Sequence, residues 1–185
     1  MTSFYTEKEL KEIGFKFIGK NTQISRNAKF YGVSRISIGD YSRIDDFCVL
    51  SAGEGGIDIG RYVHIAVFSS LQGKANIRME DFSGISSKSS IYSSNGDYLG
   101  EHLSNPNVPE KYRYEESAPV ILEKHALVGT GSVIMQGVTM KEGSVVGAFS
   151  FVKDDCEDFW IYAGNPAKVL KERSMKILDI EKQIK

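Results

Sequence analysis

The chain lacks the features that mark several functional classes. It has two cysteines, Cys48 and Cys156, in 185 residues, too few for a disulfide framework and without metal-ligand spacing. It has no basic excess: the net charge is −1, so a polyanionic nucleic-acid backbone finds no complementary surface. No window approaches the eighteen or so uninterrupted apolar residues that a membrane-crossing helix needs. The N-terminus, MTSFYTEKELKEIGFKFIGK, scatters charge where a secretory signal needs an apolar centre. What remains is ordinary for a globular protein, 41% hydrophobic and 25% charged, at a length that suits one domain with a real core. These readings predict a single cytoplasmic domain with no resident metal.

What the sequence does have is a repeat. In the C-terminal half an aliphatic residue recurs every six positions: Leu122, Val128, Ile134, Met140, Val146, Val152. Upstream the spacing comes in triads: Met79, Ile85, Ile91; Ile59, Ile65, Leu71; Ile38, Ile44, Leu50; and Ile18, Ile24, Phe30, with eight or nine residues between triads. Two residues before most of these sites stands a small side chain, as at Ser42, Cys48, Ser69, Ser83, Ser89, Ala126, Ser132, Ser144 and Ser150. Where a triad begins, that place is often aliphatic instead, as at Ile36, Ile57, Ile77 and Val120. Glycine often follows the apolar site.

A period of six matches neither a helix nor a plain alternating strand. It matches a short strand plus a corner, three of which close a triangular coil of eighteen residues. The aliphatic residue points into the prism, the small one fits beneath the corner, and glycine relieves crowding where the backbone turns. Each coil pairs with the next about 4.8 Å along the axis. No coil buries its aliphatics alone, so about six must stack. Cys48 takes a small-residue place, which makes it a core cysteine rather than a reactive one.

The ends need covering. Residues 1–15 read as an N-terminal helix with a Thr6/Glu9 capping box, apolar Leu10 and Ile13, and Gly14 as its stop. Residues 16–165 are the β-helix. Residues 166–185 read as a C-terminal amphipathic helix with Leu170, Ile177, Ile180 and Ile184 along one side.

The hexad repeat followed by Gly164-Asn165-Pro166-Ala167-Lys168 resembles the hexapeptide-repeat acyltransferases, over nearly the whole chain. The stretches Arg43-Ile44-Asp45-Asp46-Phe47, Ser94 to Glu101, Ser104-Asn105-Pro106 and Gly147-Ala148-Phe149-Ser150 look like the branch that acts on nucleotide-linked amino-dideoxy sugars and surface polysaccharides. The resemblance implies an all-β, left-handed parallel β-helix, an exception to the right-handed crossover rule. It implies a homotrimer, with acetyl-CoA or another acyl-CoA in the groove between neighbouring prisms. Thr130, Ala148 and Pro166 are eighteen residues apart and should stack along one corner; in the family, backbone groups along such a corner bind the pantetheine arm. Lys168 and Lys171 stand where similar enzymes hold the CoA phosphates, and Lys153 is a further candidate.

Ile91 and Leu122 are thirty-one residues apart, so an insertion of about residues 92–119 interrupts the coils. A loop this long in a compact domain is usually functional. It carries Asp97, Glu101 and His102, the only histidine in it. Attack on a thioester by a sugar hydroxyl needs a general base, a role that many relatives give to a loop histidine. An amine already carries a lone pair, so a carboxylate or a water held by Asp97 and Glu101 suffices, and these two carboxylates are the first candidates. His64 should face outward on the second face and line the acceptor pocket, and Asp45 and Asp46 could bind sugar hydroxyls. His125 reads as a structural corner residue, and Gly53-Glu54-Gly55-Gly56 as a lengthened corner rather than a phosphate loop.

The favoured activity is N-acylation of a nucleotide-linked amino sugar from acyl-CoA, and the alternative is sugar O-acetylation with His102 as base. A γ-class carbonic anhydrase shares the prism but would need three histidines around zinc, whereas His102 and His125 are twenty-three residues apart and His64 is isolated. A non-enzymatic scaffold has no use for the long polar loop.

Overall fold

The structure is a computed structural model and describes residues 3–184. Glu7–Ile13 form the first helix, α1. The Thr6 hydroxyl accepts from the Glu9 N–H while the Glu9 carboxylate takes the Thr6 N–H, a complete capping box. Leu10 is buried, and Gly14 ends the helix in the left-handed region at φ 91°. Arg26, followed by the Thr6 donors, pulls the Glu9 carboxyl down to about 2.

Beyond α1 the chain winds into a triangular prism with three parallel sheets. Faces one and three each carry six strands; face two carries seven parallel strands, so six full coils are followed by part of a seventh. The register is the one the hexads dictate. Ile38, Ile59, Met79, Leu122 and Met140 stack on face one; Ile44, Ile65, Ile85, Val128 and Val146 on face two; Leu50, Leu71, Ile91, Ile134 and Val152 on face three. Of the eighteen apolar sites, sixteen are buried, and Ile18 and Phe30, at the N-terminal end, are partly so. The small residues beneath the corners are buried too, and several of their hydroxyls serve the neighbouring coil: Ser42 donates to the Gly60 carbonyl at 2.8 Å and Ser132 to that of Gly147 at 3.0 Å. A Cβ on Gly39 would lie 2.6 Å from the backbone of Gly60, so the corner needs glycine there because the coils approach too closely.

Ten non-glycine residues among those described have positive φ, at the corners. Each such turn costs roughly 1–2 kcal/mol, and stacking between coils offsets it by roughly 0.5–1.5 kcal/mol per aromatic pair. Tyr41, Tyr62, Phe82 and His125 form one such ladder, with rings 4.9, 4.9 and 5.2 Å apart. His125 is buried at its end and contacts Glu181 at 2.8 Å, so its role at a corner is structural. Cys48 is buried, its thiol donates to the Ala66 carbonyl at 3.1 Å, and burial pushes it up to about 11, which keeps it unreactive at neutral pH.

Two expectations are corrected. Residues 166–185 are not one helix: Lys168–Glu172 form a strand antiparallel to Trp160–Ala163, and only Ile177–Glu181 are helical, as α2. The physical reason is the open edge of Trp160–Ala163, whose N–H and C=O groups would otherwise stand unpaired at the end of face two. Pro166 does not stack on Ala148, because the last coil is two residues short: Val146 pairs with Tyr162. That register puts Gly164, not Pro166, opposite Ala148.

Candidate active site

Face two presents a groove of about 610 Å³ that runs along the prism axis. Its floor is the outward row of the face-two strands, His64, Gly84, Leu127 and Val145. Tyr62 and Phe82 of the aromatic ladder form one edge; Ser86, Ser87, Gly129 and Thr130 form the other. Above it the strand Lys168–Glu172 extends the same sheet, with Lys168 and Lys171 exposed. Hydrophobic walls, a few hydroxyls and a cationic end suit a long amphiphilic thioester with phosphates at one terminus.

Thr130 and exposed Ala148 stack as the spacing required: the Phe149 N–H donates to the Thr130 carbonyl at 2.8 Å. Lys153 falls elsewhere. It follows the face-three strand Phe151–Val152 and contacts Asp154 at 3.2 Å. His64 does face outward into the groove, where Asp45 holds its Nε2 at 2.8 Å. Burial raises the Asp45 carboxyl, but Arg43 and His64 outweigh it and hold it below its ordinary value. Asp46 is occupied differently, accepting from the buried Ser25 hydroxyl. Gly84, Ser86 and Ser87 were not singled out from the sequence. The pairing of Ile85 with Val128 puts Ser87 opposite Thr130 once the insertion is discounted, and that was the available signal.

The insertion leaves face three after Ser90–Tyr92 and returns to face one at Val120–Leu122. It is a hairpin arm, with Ser94–Gly96 antiparallel to Glu115–Ser117. The Asp97 carboxylate organises its tip. It accepts the N–H groups of Leu99 at 2.6 Å, Gly100 at 3.2 Å and His102 at 2.5 Å, and its Oδ2 lies 3.3 Å from the His102 ring. The Leu99 N–H, followed by those of His102 and Gly100, holds the Asp97 carboxyl below the usual carboxylate range. A carboxylate so stabilised is a weak base and a strong loop organiser. His102 also packs on Tyr114, with rings 5.5 Å apart. Glu101 is exposed. The arm therefore rises from the corner between faces three and one, and the groove edge at Thr130 from the corner between faces two and three. One chain does not bring Asp97, Glu101 and His102 to the groove. Each histidine has its own carboxylate, Asp45, Asp97 or Glu181, and among the described residues no three His, Cys, Asp or Glu side chains converge on a metal position. No helix among the described residues is long and apolar enough to cross a membrane.

A triangular left-handed β-helix with such a groove, a long insertion and a cationic terminal strand defines an acyltransferase of the hexapeptide-repeat class. The chain is 50% identical to the dTDP-4-amino-4,6-dideoxy-D-glucose acyltransferase of Escherichia coli over 183 residues, covering 99% of this chain and 95% of that one, and it belongs to that acyltransferase family. Crystal structures of the N-acyltransferase AntD from Bacillus cereus superpose closely. One, with dTDP-4-amino-4,6-dideoxyglucose and coenzyme A, is 42% identical with a TM-score of 0.94 and covers 99% of this chain and 97% of AntD. Another, with dTDP and 3-hydroxybutyryl-CoA, has a TM-score of 0.92 at 42% identity, covering 99% of this chain and 96% of AntD. A hexapeptide-repeat acetyltransferase of Vibrio cholerae, at 20% identity and a TM-score of 0.60 over 90% of this chain and 79% of its own, shares the fold. No protein-family model matches the chain.

Proposed function

We propose that the chain transfers an acyl group from acyl-CoA to the 4-amino group of a dTDP-linked 4-amino-4,6-dideoxy sugar. The observation that carries this is the 50% identity, spread over 99% of the chain, to an enzyme named for that sugar. The neutral amine attacks the thioester carbonyl, the C–N bond forms as the C–S bond breaks, and the amine's proton passes through water to the departing thiolate. The pantetheine arm lies along the corner at Thr130 and Ala148, with Lys168 and Lys171 facing its phosphates. Asp97 holds the loop that carries Glu101 and His102, so it is a positioning residue, and an amine acceptor needs no strong base.

Because the loop and the groove stand on different corners, a complete site takes two copies, and a homotrimer supplies three such sites. Acyl-CoA and nucleotide sugars are cytoplasmic metabolites, which supports a cytoplasmic place, and N-acylated dideoxy sugars suit lipopolysaccharide or other surface-polysaccharide synthesis. Mass spectrometry of the products from a panel of nucleotide amino sugars, with acetyl-CoA and 3-hydroxybutyryl-CoA, tests the reading. An N-acylated dTDP-4-amino-4,6-dideoxy sugar is expected; turnover of simple sugars alone refutes it. One observation favours a second reading, sugar O-acetylation: Asp97 orients the His102 imidazole as it would orient a general base.

A further inference from the structure

Gly84 stands in an unusual place. It lies on the strand Gly84–Ile85 of face two, with Ile85 pointing inward, so its own missing side chain would point into the groove. Its neighbours across the ladder are His64 and Leu127. Its φ lies outside the left-handed region, and a Cβ built there would meet the His64 carbonyl oxygen at 3.3 Å and Leu127 Cδ2 at 3.5 Å. A corner such as Gly39 has no room for any side chain; Gly84 is buried but needs glycine for no turn, and a Cβ there would press on the His64 carbonyl only tightly enough to require a shift of a few tenths of an ångström. What glycine does there is leave a notch beside the Leu127 side chain and the His64 backbone, and a strand glycine often marks a place where a ligand or another backbone comes close.

The notch lies where the acyl group of the donor must end. From Lys168–Glu172 down to Gly84–Ile85 the sheet takes four steps, from Lys171 to Ile161, Val145, Leu127 and Gly84. At ~4.8 Å each they span about 19 Å. An arm that starts at Lys168 and Lys171 and passes Ala148 and Thr130 brings its thioester to the level of Ser87 and its acyl chain over Gly84. There Leu127 offers an apolar wall, and His64, fixed by Asp45 at 2.8 Å, offers a ring nitrogen.

Resting on the donor reading given above, we propose that Gly84 sets the size of the acyl group: the notch between His64 and Leu127 accepts a chain longer than acetyl, with a 3-hydroxyl facing His64. The test compares kcat/KM for 3-hydroxybutyryl-CoA and acetyl-CoA, with dTDP-4-amino-4,6-dideoxyglucose as acceptor, in the wild type, Gly84→Ala, Gly84→Val and Leu127→Ala. The ratio of the longer to the shorter donor should fall roughly tenfold in Gly84→Ala, which adds one carbon, and about a hundredfold or more in Gly84→Val, which adds three, given the roughly 10- to 200-fold range of a single misplaced methylene in a pocket. Leu127→Ala, which widens the notch from the other side, should raise the ratio, and it keeps the idea testable if Gly84→Val does not fold. A ratio that stays level in every folded variant overturns the assignment of Gly84. Wild-type protein that transfers from neither donor overturns the donor reading itself.

Discussion

Replacing Ala148 by tryptophan tests the donor groove where the backbone is least able to adapt. Ala148 is exposed, but its backbone is pinned: the Phe149 N–H donates to Thr130, and a Cβ on Gly129 would already lie 2.6 Å from the Ala148 nitrogen. The coil cannot shift inward, so an indole must project into the path of the pantetheine arm. Phe149 next door is 76% exposed, so an aromatic ring at this corner is compatible with folding. Displacing the arm from one coil forfeits roughly 60–100 Å² of contact, which at ~25 cal/mol per Å² is about 1.5–2.5 kcal/mol. The KM for acyl-CoA should therefore rise about 10- to 70-fold. Steady-state kinetics with each substrate varied in turn, after gel filtration shows an assembly of wild-type size, give the answer. An unchanged acyl-CoA KM would refute the assignment of this corner, and an equal rise in the KM of the sugar would mean that the indole disturbs the whole site.

Asp97→Ala removes the acceptor of three loop N–H groups and should cost more activity than His102→Ala, with Asp97→Asn between wild type and alanine because an amide oxygen can still accept from Leu99. A loss of roughly a hundredfold or more confined to His102→Ala would instead mean an O-acylating enzyme with His102 as base. Because the folded carboxyl of Glu9 titrates at about 2, below its ordinary 4.5, its contribution to stability is full above pH 4.5 and is lost as the pH falls towards 2. The gap in thermal stability between wild type and Glu9→Gln should close across that window, and a gap that widens on acidification contradicts the sign. Ile65→Ala, at a fully buried face-two site, should cost about 2–5 kcal/mol in denaturant unfolding; a cost below about 0.5 kcal/mol, typical of a surface change, would contradict the register.

The prism was legible in the sequence because one physical demand repeats in every coil. Each aliphatic at a hexad position must enter the same narrow core, so Ile44, Ile65 and Ile85 announce their own stacking. The same rule kept Thr130 under Ala148 but failed at Pro166, because the last coil closes in sixteen residues, not eighteen, and no hexad residue marks the change. The tail misled for a related reason. Leu170, Ile177, Ile180 and Ile184 have the spacing of an amphipathic helix, yet Leu170 belongs to the strand that protects the edge at Trp160–Ala163. An unpaired edge is a tertiary fact that local periodicity does not encode. The loop was visible as an interruption, and its Asp97 as a candidate, but the sharing of that carboxylate among three N–H groups depends on a fold of the loop that has no repeat. Gly84 passed unnoticed because a strand glycine resembles the corner glycines until its side of the sheet is known.

The proposed site has acyl-CoA along face two of one copy and the loop of another copy completing it. A crystal structure with coenzyme A and dTDP-4-amino-4,6-dideoxyglucose measures this directly. The pantetheine arm is expected beside Thr130 and Ala148, its sulfur near Ser87, and the sugar nitrogen close enough, roughly 3–3.5 Å, to attack a thioester carbon there, with Asp97 arriving from a neighbouring copy. Coenzyme A bound to another face, or a site completed by the loop of its own chain, would contradict it.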